Sequence, residues 1–265
     1  MGHSTLALID TKAKIGKDVS IGHYSIVSKD VVIEDGCTIA NNVTILDGVR
    51  IGKNSRVFPG AILGAIPQDL KYEGEESVLE IGENVTIREY CTVNRGTIAN
   101  FKTYIGNNSL LMAYVHVAHD CVLGKNVILS NNVNLAGHIE VGDYAILGGL
   151  TAVHQFVKIG QHSFIGGGSL VRKDIPPFVK AAREPLSYAG INAVGLRRRN
   201  FTPETINTIQ DIYRLLFVRG YNTSQAIKKI QDTIPECPEK AQILNFIHDA
   251  KRGIMKSFKQ INGGR

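Results

Sequence analysis

From Ile15 an aliphatic residue returns at every sixth position: Ile15, Ile21, Val27, Ile33, Ile39, Ile45, Ile51, Val57 and Leu63. After a gap Ile81, Ile87 and Val93 resume the beat, and an unbroken second run goes from Ile105 to Val171. Four positions after each aliphatic stands a small or β-branched residue, as at Val19, Ser25, Cys37, Val43, Val115, Cys121 and Val133. A period of six fits neither a helix nor a long alternating strand. It predicts a short strand and a turn, repeated, with the aliphatic side chain inward. Glycine often follows the aliphatic residue (Gly16, Gly22, Gly52, Gly124), and asparagine pairs recur at Asn41–Asn42, Asn107–Asn108 and Asn131–Asn132. Both types tolerate positive φ, as a turn requires. Three such strands make a triangular coil of 18 residues, and stacked coils make a parallel β-helix prism.

The beat breaks twice, at Ala65–Ser77 (AIPQDLKYEGEES) and Asn94–Thr103 (NRGTIANFKT). Both stretches are polar and read as loops projecting from the prism, either functional or simply tolerated insertions. The beat stops at Pro176–Pro177, and a helical period begins in FTPETINTIQDIYRLLFV. Thr202 is placed as an N-cap with Pro203 at the first helical position. Further helices are expected over Ser224–Thr233 and Pro238–Met255. The expected organisation is a prism over 1–178, with loops 65–77 and 94–103, and a small helical domain over 179–265.

Composition narrows the partners. The chain of 265 residues is 43% hydrophobic and 20% charged, without tryptophan. It holds no apolar run long enough to span a membrane as a helix and no secretion signal, and its four cysteines form no CxxC pair. A reducing cytoplasm is the expected location. A net charge of +6 suits an anionic ligand or acidic partner, while no helix-turn-helix or zinc-finger pattern supports nucleic acid, which is not expected as a partner. Cys37, Cys91 and Cys121 fall on the inward small-residue position and read as core; Cys237 has no assigned role.

The coil brings distant residues together. Residues 18 apart stack one strand spacing apart, which puts His119, Gly137 and Gln155 in one column and Asp120 and His138 in the next. His116, His119, His138 and His154 avoid the inward slot and line the outside. An imidazole titrating near neutrality can take a proton from a hydroxyl. A neighbouring carboxylate can orient it, although side chains adjacent in sequence, such as His119 and Asp120, can point apart. Gly137 can expose an N–H to a developing oxyanion. Three other readings stand beside this one: a metal site at His116, His119 and His138, a solvated surface, and a prism that binds without catalysis.

The segments HVAHD, LAGH, GGLTAVHQF, PQDLKYEGE and GLRRRNF resemble the acyl-ACP:UDP-N-acetylglucosamine O-acyltransferases of lipid A synthesis, over nearly the whole chain. The resemblance implies a mainly β fold, a left-handed parallel β-helix followed by a small helical domain. It implies transfer of a long 3-hydroxyacyl group from acyl carrier protein to the 3-hydroxyl of UDP-N-acetylglucosamine. The alternatives are an N-acyltransferase acting on an amino sugar or an enzyme using acetyl-CoA. It implies a homotrimer with clefts between prisms, no metal, and no cofactor beyond the phosphopantetheine that carries the acyl donor. By the same resemblance His119 is the general base, Asp120 its partner and Gly137 the oxyanion donor. Gln68, Asp69, Lys71, His116, His138, His154 and Gln155 are matched to the sugar, phosphate and acyl region, and Asn192, Arg198 and Arg199 to uridine and diphosphate. Guanidinium forks suit phosphates on their own chemistry, although Arg198 and Arg199 also read as a solvated basic run or a docking patch. Phe164 and Gly167, in FIGGGS, are matched to acyl-chain length. The chain departs from the family at Asn94, where histidine is common, and at Val194, where an acidic residue is common.

Overall fold

The computed structural model describes residues 2–257. Among these the strands form three sheets of nine, eight and eleven strands, the three faces of a parallel β-helix. The first face runs from Leu8–Ile9 to Leu170–Val171 and the second from Lys14–Ile15 to Lys158–Ile159. The third starts at Ser20–Ile21. The aliphatic positions fill the interior, with Ile45, Leu63, Leu111, Leu123 and Leu135 fully buried. Cys37, Cys91 and Cys121 are buried and unpaired, and the Cys121 thiol donates to the Ala136 carbonyl at 3.1 Å.

Positive φ belongs to one position of the hexapeptide, the fourth. Asn42, Asn54, Asn84, Asn108, Asn126 and Asn132 all have φ between 55° and 59°. The glycines that follow the aliphatic residue have a different reason. Gly22 lacks positive φ, but a Cβ there would lie 2.6 Å from Asn41 N in the next coil. They are glycine because successive coils touch, and the turn itself is made two residues later. Along the edge between the second and third faces, asparagine gives way to Tyr144, His162 and Phe178, all at positive φ. A left-handed residue other than glycine, asparagine or aspartate costs about 1–2 kcal/mol. Here ring stacking offsets it: Tyr144 on His162 at 4.9 Å and His162 on Phe178 at 5.7 Å.

The loops are measured by the register. Strand partners are normally 18 positions apart, as His116–Asn134. Ile62 pairs with Thr92 instead, and Thr92 with His116, so the insertions amount to 12 and 6 residues. Both leave the prism where the chain turns from the first face to the second. They share that edge with Asp120, His138 and Phe156.

The tail differs from an all-helical segment. Val179–Ala182 continues the third face beside Phe164–Ile165, Ser187–Ile191 folds back antiparallel to it, and Lys256–Ser257 joins that strand. The last coil would otherwise present an open sheet edge, which these strands cover. Among the described residues there are four helices: α1 (Ala193–Arg198), α2 (Pro203–Phe217), α3 (Thr223–Thr233) and α4 (Pro238–His248). Thr202 caps α2, accepting from Thr205 N, with Pro203 in its first turn. Cys237 caps α4 by accepting from Lys240 N. That helix ends at His248 with Asp249 as its C-cap, short of Met255; beyond it the chain turns at Gly253 (φ 70°) and Ile254 bridges Asp174.

The turn rule is testable at Asn126. Asn126→Ala should lower stability by about 1 kcal/mol and Asn126→Gly by less, read from thermal unfolding midpoints. Equal losses would show that φ is not what selects the residue.

Candidate functional site

His119 follows the strand His116–Val117 and Asp120 takes the fourth position, with φ 59°. That left-handed turn brings the Asp120 carboxylate back to the preceding ring instead of letting it diverge. His119 Nδ1 lies 2.8 Å from Asp120 Oδ2. A carboxylate only accepts, so Nδ1 carries the proton and Nε2 is left as the basic nitrogen. Both residues are buried, His119 at 6% and Asp120 at 2% exposure, so the pair lies beneath the outer surface.

Burial pushes the Asp120 carboxyl up, but hydrogen bonds from His119 and Thr97 outweigh it and hold the group below the usual carboxylate range. Thr97 donates its hydroxyl to Oδ2 at 2.6 Å and its N–H to Oδ1 at 3.0 Å. Asp120 N–H donates to Thr103 Oγ1 at 2.9 Å. Periodicity gave no sign of Thr97 or Thr103, because the first lies in an insertion and the second at its end.

One coil on, the His119 ring lies against Gly137. A Cβ there would stand 2.5 Å from His119 Cε1 and 2.7 Å from Nε2, so only glycine fits beneath this ring. The neighbouring N–H groups of Ala136 and His138 are spent on Val153 and His119 carbonyls. Among the described residues no hydrogen bond uses that of Gly137. His138 meets His119 edge-on at 5.0 Å and stacks on Phe156 at 4.6 Å. Its Nδ1 is 3.8 Å from Asp120 Oδ2. Burial lowers the His138 pKa, partly countered by Asp120, and Asp69 acts in the same upward sense, so the first loop's charge reaches this edge. His116 shares a hydrogen bond with Thr92 Oγ1 at 2.8 Å, and burial followed by the charge of His119 lowers its pKa.

The other candidates divide by location. Gln68 and Lys71 are exposed on the first loop, where Asp69 Oδ1 accepts from Lys71 N at 3.0 Å. His154 and Gln155 are exposed on the same edge as His119. Asn192, Arg198 and Arg199 belong to a different edge. Asn192 caps α1 and donates to the His162 carbonyl at 2.9 Å. Arg199 lies over the Tyr144 ring at 4.8 Å, and Arg198 is exposed. Phe164 is half-buried on the third face, and Gly167 is exposed at the edge between the third and first faces. One prism therefore carries these candidates on three separate edges, with Phe164 on the face beside the third. Asn94 is buried at 3% exposure and donates to the carbonyls of Ala65 and Ile66 at the root of the first loop. Val194 is exposed in α1.

The histidine triple weighed as metal ligands, His116, His119 and His138, is not the group that converges. Ligand atoms of His119, Asp120 and His138 lie within 4.8 Å of one another, a spacing able to hold a cation. Asp120 Oδ2 already accepts from both His119 and Thr97, so a cation bound there would displace those bonds.

Residues 174–255 match the family described as Udp N-acetylglucosamine O-acyltransferase, domain 2. Residues 102–137 match the bacterial transferase hexapeptide, and residues 4–108 the GMPPB C-terminal domain. The acyl-[acyl-carrier-protein]–UDP-N-acetylglucosamine O-acyltransferase of Sulfurihydrogenibium sp. (strain YO3AOP1) is 59% identical, covering 94% of this chain and 92% of its own. The protein of the same name from Chlorobaculum parvum is 56% identical over 93% of this chain and 94% of its own. Among solved structures, LpxA from Bacteroides fragilis, a UDP-N-acetylglucosamine acyltransferase, superposes with a TM-score of 0.94 at 47% identity, covering 96% of this chain and 99% of its own. LpxA from Acinetobacter baumannii superposes at 0.92 and 42% identity, covering 96% and 99%.

The Asp120 environment has a pH signature. Its carboxyl lies below its ordinary value in the folded chain, so it contributes stability above that value which is lost as pH falls through the folded one. Asp120→Asn should be less stable than the native chain near neutrality, and the gap should close as pH drops below about 4. Denaturation midpoints of both proteins against pH check this; a gap independent of pH would refute it.

Proposed function

The chain belongs to the acyl-[acyl-carrier-protein]–UDP-N-acetylglucosamine O-acyltransferase family, and we propose that the His119 edge is where it transfers an acyl group from acyl carrier protein to UDP-N-acetylglucosamine, the first step of lipid A synthesis. The observation that carries the proposal is the His119 ring seated on Gly137, with Nδ1 engaged by Asp120 and Nε2 left basic. His119 Nε2 takes the proton of the sugar 3-hydroxyl as that oxygen attacks the thioester carbonyl. Asp120 stabilises the imidazolium that forms. The Gly137 N–H donates to the tetrahedral oxyanion. The carbon–sulfur bond then breaks, and the imidazolium returns its proton to the leaving thiolate of the carrier. This route uses no metal and no covalent acyl-enzyme.

His116 and His138 flank the base and are assigned to the sugar, with Gln68, Asp69, Lys71, His154 and Gln155 around the sugar, phosphate and acyl region. Asn192, Arg198 and Arg199 are assigned to the nucleotide. Asn192 and Arg199 already hold α1 and Tyr144, so their contribution includes shaping that surface, whereas Arg198 is free to reach a phosphate. Phe164 and Gly167 are assigned to the acyl chain, and the small residues of FIGGGS favour a long 3-hydroxyacyl group. Three groups on three edges call for neighbouring copies to complete a cleft, which supports a homotrimer. The net charge of +6 suits an acidic carrier protein. No helix among the described residues is long and apolar enough to cross a membrane, in keeping with a cytoplasmic enzyme acting on soluble substrates.

Incubation with UDP-N-acetylglucosamine and 3-hydroxyacyl carrier protein should give the 3-O-acylated sugar nucleotide, and acetyl-CoA should not replace the donor. His119→Ala should lower turnover by about a hundredfold or more while the chain still folds, its thermal midpoint reduced by the hydrogen bond that Asp120 loses. Native turnover in that variant would remove the base assignment. Gly137→Ala should lower kcat by a similar factor of about 10², because its methyl displaces the ring above it.

A further inference from the structure

The loop between the strands Thr92–Asn94 and Lys102–Ile105 takes no part in the chemistry above, yet its central residue grips the Asp120 carboxylate from both sides. Oδ1 accepts the Thr97 N–H, and Oδ2 accepts the Thr97 hydroxyl. Oδ2 is also the oxygen bonded to His119 Nδ1 at 2.8 Å and lying 3.8 Å from His138 Nδ1. Two imidazoles thus face one oxygen, and its remaining partner helps fix its direction. The hydroxyl is itself oriented: Ala99 N–H donates to Thr97 Oγ1 at 3.3 Å, leaving its proton for the carboxylate.

The loop has other anchors. The Ser77 hydroxyl donates to the Gly96 carbonyl at 2.6 Å, Glu75 Oε1 accepts from Ile98 N–H at 3.0 Å, and Arg95 donates to the Tyr72 hydroxyl at 2.7 Å. A Cβ on Gly96 would stand 2.2 Å from Lys102 N, so the loop leaves the strand with no room for a side chain at that point. These contacts hold the backbone without the Thr97 hydroxyl. Apart from accepting the Ala99 N–H at 3.3 Å, what the hydroxyl adds ends on the carboxylate.

We propose that Thr97 is a positioning residue: its hydroxyl keeps Asp120 Oδ2 on His119 in preference to His138, and so keeps His119 Nε2 as the proton acceptor over Gly137. The proposal rests on the assignment of His119 as the base. It ties the two projecting loops to the chemistry, because the loop that carries Thr97 is hydrogen-bonded to the loop that carries Asp69.

The test is steady-state kinetics on the full chain with UDP-N-acetylglucosamine and 3-hydroxyacyl carrier protein. Thr97→Val and Thr97→Ser are compared in the native and Asp120→Asn backgrounds, with thermal midpoints recorded for each. Thr97→Val should lower kcat roughly tenfold or more, since it removes a hydrogen bond to a charged group. KM for both substrates should stay within about twofold, and Thr97→Ser should recover most of the loss. In the Asp120→Asn background Thr97→Val should cost less than about twofold, because a residue acting through Asp120 has nothing left to orient. Native kcat in Thr97→Val overturns the proposal, as do equal losses in both backgrounds or a serine variant as poor as the valine one. Should Thr97→Val unfold, Thr97→Ala enters the same cycle under the same criteria. Turnover surviving in His119→Ala sinks the base assignment and this proposal together. A fully active Thr97→Val beside an inactive His119→Ala sinks this proposal alone.

Discussion

The eighteen-residue coil is the constraint on which the site depends. His116, Asn134 and Ala152 pair in register with no residue gained or lost, and Gly137 is therefore brought beneath His119. A single inserted residue between Asp120 and Gly137 would put a different side chain under the ring. Strand register is strongly specified only where one face is buried. Here every coil presents its own interior residue, Val117, Leu135 and Val153 on this face, so hydrophobic burial enforces the alignment that the chemistry needs. The two insertions occur before this stretch, where they displace nothing in it.

The left-handed fourth position does a second task at the same edge. At Asn126 or Asn132 it only turns the corner, but at Asp120 it directs a carboxylate onto its neighbour. Taking a carboxylate out of water is costly unless hydrogen bonds replace hydration. Thr97 supplies two and His119 a third. Burial and bonding act in opposite directions on the carboxyl, and bonding prevails, so the charge that orients His119 persists inside the protein. His138 shares the fourth position one coil on, and its stack on Phe156 holds that ring edge-on to His119.

The regular part of this arrangement was legible in the sequence because a fixed period turns sequence separation into spatial position. The His119–Gly137 stack and the inward cysteines follow from counting, and the Thr202 cap from the threonine–proline pair at the start of a helical period. The irregular part was not. Thr97 reaches Asp120 from within an insertion, whose path no period describes. The closeness of His119 and Asp120 depends on a backbone angle that aspartate tolerates without advertising. The glycines after each aliphatic residue were legible as a pattern but carried a different cause: Gly22 and Gly124 make room for the next coil, and the turn is made by the residue two places on. The strands over 179–191 lack the hexapeptide beat because the hairpin serves to close an open sheet edge, a need visible only once the prism exists.

Three edges with three chemistries bear on why such a prism would work in company. The base, its carboxylate and the buried Gly137 amide, which no hydrogen bond among the described residues uses, occupy one edge, while Asn192 and Arg199 attach to the stack of Tyr144 and His162 on another. Gly167 lies on the third, stacked over Gly149 so closely that a Cβ would stand 3.0 Å from the Gly149 carbonyl. A prism is stiff along its axis and cannot fold one edge toward another, since each corner is set by backbone dihedrals and a packed interior. On the proposed function, a ligand with a sugar, a diphosphate and a long acyl chain would be met by separate surfaces of separate copies, each presented at a fixed height along the coil. Rotating identical prisms about a shared axis brings unlike edges together while leaving the His119–Gly137 stack untouched. On that view the repeat supplies both the precision within one chain and the registration between chains.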